Sequence, residues 1–112
     1  MAGTQILVVD DEADSRQYVV FVAFVLEQHG AKVTTAASAT EAIQLFTQLK
    51  PDVLISNIGM PDLDGYTLLQ QIKASNLKLT IAAIALTAYA SEHNKKQAYR
   101  AGFQRYIAKP IE

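Results

Sequence analysis

Five short apolar runs, Gln5 to Val9, Lys32 to Ala36, Val53 to Ser56, Ile81 to Leu86 and Arg105 to Ala108, alternate with segments of helical periodicity. A run of that length that is apolar on both of its faces suits a strand covered above and below, which is the situation inside a parallel sheet. Each parallel crossover needs a helix, and the intervening segments supply them. A chain of 112 residues, half of them apolar, can bury one sizeable core, so residues 1–112 are expected to form a single domain.

The helices have their own signals. Ser38 followed by Glu41 makes a capping box, and Ala42, Ile43, Leu45, Phe46 and Leu49 keep helical spacing until Pro51 stops them. Tyr66, Leu69 and Ile72 mark a helix after Gly65, and Ser91 to Ala101, closed by Gly102, marks another. Every connection is short, which limits the chain to adjacent packing. The expected architecture is a flavodoxin-like, doubly wound, five-stranded parallel sheet of order 2-1-3-4-5, with its site where strands one and three part company.

The segment from Asp14 to Gln28 departs from the amphipathic pattern. Tyr18 to Leu26 runs without a polar break, so this helix is apolar around its circumference. One reading is a long, mostly buried helix. The sharper one is that the surplus apolar face meets a partner, including a second copy of the chain. The run is too short to span a membrane, and the amino terminus has no basic region leading into an apolar one. A net charge of −1 leaves no electrostatic footprint for nucleic acid, and the absence of cysteine excludes disulfides and thiolate metal sites. A cytoplasmic protein without nucleic-acid or membrane binding is the expectation.

The chemistry gathers at the carboxyl ends of the strands. Asp10 and Asp11 follow Ile6-Leu7-Val8-Val9, and adjacent acids near a backbone carbonyl form a hard-oxygen site of the kind Mg²⁺ uses. Alone, an Asp-Asp pair is more simply a solvated turn that caps a helix. What changes the reading is the company it keeps. The stretch Pro51 to Gly65 delivers Asn57 to the end of the third strand and then enters a loop punctuated by Gly59, Pro61 and Gly65. Thr87 ends the fourth strand and Lys109 follows the fifth. A hydroxyl and an ammonium on one rim are what the oxygens of a phosphoryl group require, with a metal to take the remaining charge.

Together these residues resemble the receiver domain of two-component response regulators, found in stand-alone regulators and hybrid histidine kinases. The resemblance covers nearly all of the chain, lacking only the last helix, since the sequence reaches Glu112 where a fifth helix would begin. It implies that position 57 is the phosphoacceptor, Thr87 the switch hydroxyl, Tyr106 the aromatic that follows it, and Lys109 the phosphate-binding lysine. It also implies an Mg²⁺ site formed by Asp10, Asp11, residue 57 and the carbonyl of Gly59, and a cis bond between Lys109 and Pro110. A histidine kinase or histidine phosphotransfer protein is the implied partner. About three extra residues between Asp11 and Gly30, relative to such receivers, fall short of a full turn of about 3.6 and call for local adjustment of the first helix.

One departure matters most. The family's residue at position 57 is an aspartate, and here it is Asn57. An amide oxygen is a far poorer nucleophile than a carboxylate, so phosphotransfer to this residue is expected to be absent, while the near-isosteric side chain should preserve the fold and some ion binding. Either an Asp-to-Asn substitution locks the unphosphorylated state, or the chain is a natural pseudo-receiver that works by binding alone; the intact remainder of the site favours the first. A Mg²⁺-dependent phosphohydrolase on a similar sheet is the alternative from another class. Such enzymes usually carry Asp-x-Asp on the first strand and a cap domain, for which 112 residues leave no room, so a signalling module and not an enzyme is preferred. His29 near the end of the first helix and His93 in the first turn of the fourth lack metal-ligand partners at useful spacing, and Lys95-Lys96 reads as a solvated face.

Overall fold

The computed structural model of the chain describes residues 3–11, 21, 23–60, 63–75, 81–87 and 92–108. Five parallel strands form one sheet: β1 (Gln5–Val9), β2 (Lys32–Ala36), β3 (Val53–Asn57), β4 (Ala82–Thr87) and β5 (Arg105–Ala108), in the order β2-β1-β3-β4-β5. The order expected from the sequence is therefore the order found. Two strand ends differ from the apolar runs: β3 extends through the polar Asn57, and β4 begins at Ala82 and runs through Thr87. Ladder pairing, not hydrophobicity, sets these ends, because Asn57 is still in register with Leu86 and Thr87 with Ala108.

Helices α2 (Ala39–Leu49), α3 (Gly65–Ser75) and α4 (Glu92–Ala101) lie against one face of the sheet, while α1, described over residues 23–28, belongs to the other. The larger cluster joins Leu7, Val9, Leu54, Ala83 and Ala85 from the strands to Ala42, Leu68, Leu69, Ile72, Ala98 and Phe103. The smaller one sets Ile6, Val8 and Ala31 under Leu26. Period-2 alternation along β1, β2 and β3 divides their residues between the two clusters. On the α1 face, Ile55 and Ile84 stay half-buried and Ile107 is exposed.

Among the described residues, both ends of α2, the start of α3 and the ends of α1 and α4 are closed by local devices. Ser38 Oγ accepts the amide of Glu41 at 3.1 Å, while Glu41 Oε2 reaches back to the amide of Ala37 at 3.4 Å, one residue before the cap that the box pattern names. Lys50, in the left-handed region at φ 48°, ends α2 and donates its amide to Phe46. Asp64 Oδ1 accepts the amide of Thr67 at 2.8 Å and starts α3, a cap that the sequence reading passed over. At the end of α4, Gly102 at φ 111° lets its amide reach Tyr99 and that of Phe103 reach Ala98, the paired bonds of a Schellman turn. Gly30 closes α1 in the same way, with His29 Nδ1 donating to the carbonyl of Val25 at 3.0 Å.

The expectation of a mostly buried first helix meets a different outcome over its described part. Phe21 is 65% exposed and Phe24 59%, with Val25 also exposed. Only one side of a helix that packs on a sheet can face the sheet, and among the described residues Leu26 packs there. The remainder of the first helix, the Lys109–Pro110 bond and the position of any fifth helix lie outside the described residues.

Candidate functional site

The sheet order puts β1, β3 and β4 side by side, so their carboxyl ends deliver Asp10, Asn57 and Thr87 to one rim. All three are buried. The winding of the sheet reverses between the parallel strands β1 and β3: one leads out toward β2 and the other toward β4, which opens a crevice at the carboxyl edge of the sheet. Asp10 is held in line by its own amide, which donates to the carbonyl of Ala36 at 3.0 Å. Asp11, the next residue, is half-buried and turns toward Asn57.

Asn57 makes the defining contacts. Its Nδ2 donates to Asp11 Oδ1 at 2.9 Å and to the carbonyl of Gly59 at 3.0 Å. Both partners are acceptors, so the group between them must be the NH₂ and not the amide oxygen. Of the four residues that the resemblance groups around a cation, Asn57 thus contacts two, Asp11 and Gly59, directly. Asp10, Asp11 and the Gly59 carbonyl are hard oxygen donors of the right chemistry for Mg²⁺, but the Asn57 NH₂ already engages the Asp11 and Gly59 oxygens that would hold the ion and presents them a donor instead of an acceptor. As arranged, the pocket does not fit the ion. Among the described residues no group of three His, Cys, Asp or Glu side chains converges.

The backbone beneath Asn57 is equally constrained. Ser56, fully buried, donates from Oγ to the Asn57 carbonyl at 2.9 Å. The loop after β3 folds back so that Gly65 donates its amide to Ile58 at 2.8 Å, and the amide of Ile58 reaches Leu86 on β4 at 3.0 Å. Sequence reasoning passed over Ser56. The available signal was a small polar residue at a core-facing position of an otherwise apolar strand.

Tyr106 is half-buried in β5 and packs with Tyr66 against the larger cluster. Tyr66 donates to the carbonyl of Asn94 at 3.2 Å and meets Phe103 edge-on at 6.5 Å, tying α3 to α4. Burial first, then Tyr106 and Asp64, push the Tyr66 phenol above its ordinary 10.0. Lys109 lies outside the described residues, so the structure brings together Asp10, Asp11, Asn57 and Gly59, sets Thr87 on the same rim, and leaves the lysine unplaced. His93, Lys95 and Lys96 are exposed on α4.

A five-stranded parallel sheet of this order with an acid pair at its switch point defines a class, and comparison with known proteins agrees. The family model for the response regulator receiver domain matches residues 6–112, and the chain belongs to that family. It is 41% identical over 112 residues to an uncharacterized 14.6 kDa protein in the sodA1 3′ region of Leptolyngbya boryana, covering all of this chain and 83% of that protein. It is 34% identical over 111 residues to the phosphate regulon transcriptional regulatory protein PhoB of Pseudomonas aeruginosa, covering 99% of this chain and 47% of PhoB. It therefore spans about half the length of that regulator. Among solved structures, the chemotaxis protein CheY4 of Vibrio cholerae superposes with a TM-score of 0.85 at 27% identity, over 99% of this chain and 90% of that one. A putative response regulator from Chloroflexus aurantiacus gives 0.84 at 34% identity, over 97% and 87%.

Proposed function

We propose that this chain is the cytoplasmic receiver module of a two-component phosphorelay, which engages a histidine kinase or histidine phosphotransfer protein without accepting a phosphoryl group on residue 57. The observation that carries this reading is Asn57 itself. It sits at the carboxyl end of β3, 3% exposed, with its amide turned to Asp11, in a family whose function is phosphorelay signalling. An aspartate there would offer a charged oxygen to a phosphohistidine. The amide offers a weak nucleophile whose nitrogen is already bonded.

The rest of the rim keeps its assigned work under this reading. Thr87 is the hydroxyl that a phosphoryl oxygen would recruit, Lys109 the cation that would meet another, and Tyr106 the aromatic whose packing reports the state of the switch. With no phosphoryl group to recruit Thr87, the module stays in one state and signals by occupancy of its partner. Receiver domains typically bind Mg²⁺ at this acidic pocket. Here Asp10, Asp11 and the Gly59 carbonyl supply oxygens of that kind, but the Asn57 amide already holds two of them, so the module works without the ion. The module is not itself an enzyme, and the exposed Phe21, Phe24 and Val25 of the first helix are its self-association surface.

The test uses a small phosphodonor, which bypasses the unknown kinase. Intact mass after incubation with acetyl phosphate or phosphoramidate and Mg²⁺ should stay unchanged for the present chain and rise by one phosphoryl group for Asn57→Asp. Labelling of the unaltered chain would overturn the loss of phosphotransfer. A silent Asn57→Asp variant would overturn the site.

A further inference from the structure

We infer that the Asn57 carboxamide takes the place of the divalent cation, so that this pocket is closed by its own hydrogen bonds and holds Mg²⁺ weakly. The inference rests on the receiver reading of the pocket. Its substance is that the amide actively excludes the ion, which is more than the loss of one ligand.

An NH₂ group has two donors, and both are used, one on Asp11 Oδ1 at 2.9 Å and one on the Gly59 carbonyl at 3.0 Å. A hard cation bridging the same two oxygens needs the lone pairs that these N–H bonds occupy, and it repels the partial positive charge on the hydrogens. Admission of the ion requires both bonds to break and the amide to turn over. Asn57 is 3% exposed, so water cannot replace the lost bonds while it turns. The surrounding backbone leaves little slack, because Ser56 Oγ and the Gly65 approach fix the Asn57 carbonyl on its other side.

A carboxylate at this position would behave in the opposite way. It has no donor, so three acceptor groups would face one another, and a cation would be the group that reconciles them. The amide supplies that positive edge from within the chain. The pocket thereby becomes independent of metal.

The experiment compares Mg²⁺ affinity, by calorimetric titration with MgCl₂ alone, for the full chain, Asn57→Asp and Asn57→Ala. If Asn57 were merely a poor ligand, it should bind Mg²⁺ at least as well as alanine, which offers none. If the amide excludes the ion, alanine should bind Mg²⁺ more tightly than asparagine, by a few-fold or more, because Asp11 and Gly59 are released. The order Asp tighter than Ala tighter than Asn supports the inference, and Asn equal to or tighter than Ala overturns it. Should the alanine variant fail to fold, the side-chain amide resonances of Asn57 in the unaltered chain decide. They should be protected from exchange and unmoved by MgCl₂ concentrations that saturate Asn57→Asp, whereas a shift at those concentrations would overturn the inference. The receiver reading is judged separately, since acetyl phosphate labelling of Asn57→Asp does not depend on how asparagine treats the metal.

Discussion

Gly65 approaches Asn57 so closely that a Cβ added to it would lie 2.6 Å from the Asn57 carbonyl oxygen and 3.0 Å from Ile58 Cδ1. This contact explains the glycine that opens α3, since the helix starts directly against the last turn of β3 backbone. It also ties the loop carrying Gly59 to the strand that delivers Asn57.

Gly65→Ala is therefore expected to cost about 1–3 kcal/mol, the usual range for forcing a methyl group into a packed site. The backbone carbonyl cannot swing aside as a flexible side chain would, so the Asn57 amide should be displaced from Asp11 as well. Denaturant melts measure the first effect, and loss of exchange protection at the Asn57 side-chain amide measures the second. A variant with unchanged stability would contradict the close approach.

Most of the fold was legible because it depends on patterns that a chain displays locally. All five strands fall within a residue of the apolar runs, and Ser38 caps α2 as its pattern requires. The site residues were legible as positions at strand ends. Their contacts were not. That Asn57 points its nitrogen at Asp11 depends on a pairing 46 residues apart, and a sequence pattern carries no side-chain torsion. Gly65 reads as loop punctuation until a neighbouring backbone is seen against it. Phe21 and Phe24 misled for a physical reason: apolar character on every side of a helix suggests burial, but a helix on the outside of a sheet has only one side to bury.

Those two phenylalanines carry the next prediction. If the exposed face of α1 pairs with a second copy, sedimentation should show concentration-dependent association, and Phe24→Glu should abolish it while leaving the melting midpoint nearly unchanged. Exposed side chains away from packing contribute little to folding stability, usually within about 0.5 kcal/mol. Identical sedimentation of the variant and the unaltered chain would remove this face as the contact.

Tyr66 gives a pH-dependent prediction. Its phenol is raised above 10.0, chiefly by burial and then by Tyr106 and Asp64, so the folded chain holds this proton more tightly than the unfolded one. Between the ordinary and the raised value the unfolded state has lost the proton and the folded state has kept it, so stability falls as pH rises through that window. The contribution is fully present below pH 10 and lost above it. Tyr66→Phe should cost about 1 kcal/mol at neutral pH through the lost bond to the Asn94 carbonyl, and the gap should narrow above pH 10. Urea melts across that range would show it, and a gap that widens would refute it.

The last prediction concerns Asn57→Asp without metal. The change replaces a donor that satisfies Asp11 and Gly59 with a third carboxylate beside Asp10 and Asp11. Two unit charges about 4 Å apart repel by roughly 1 kcal/mol at water's dielectric and about 4 at an effective value of 20. Leaving a buried acceptor unmatched adds about 1–3 kcal/mol. A net loss of about 2–4 kcal/mol is expected in EDTA, a fall of roughly 10 °C or more in Tm for a domain of this size. Mg²⁺ should restore much of it by binding only the folded state, while the unaltered chain should melt at nearly the same temperature with or without the ion. Thermal melts of both proteins over a MgCl₂ series check this. Equal midpoints in EDTA would mean that the Asn57 amide does not hold the acidic pocket together.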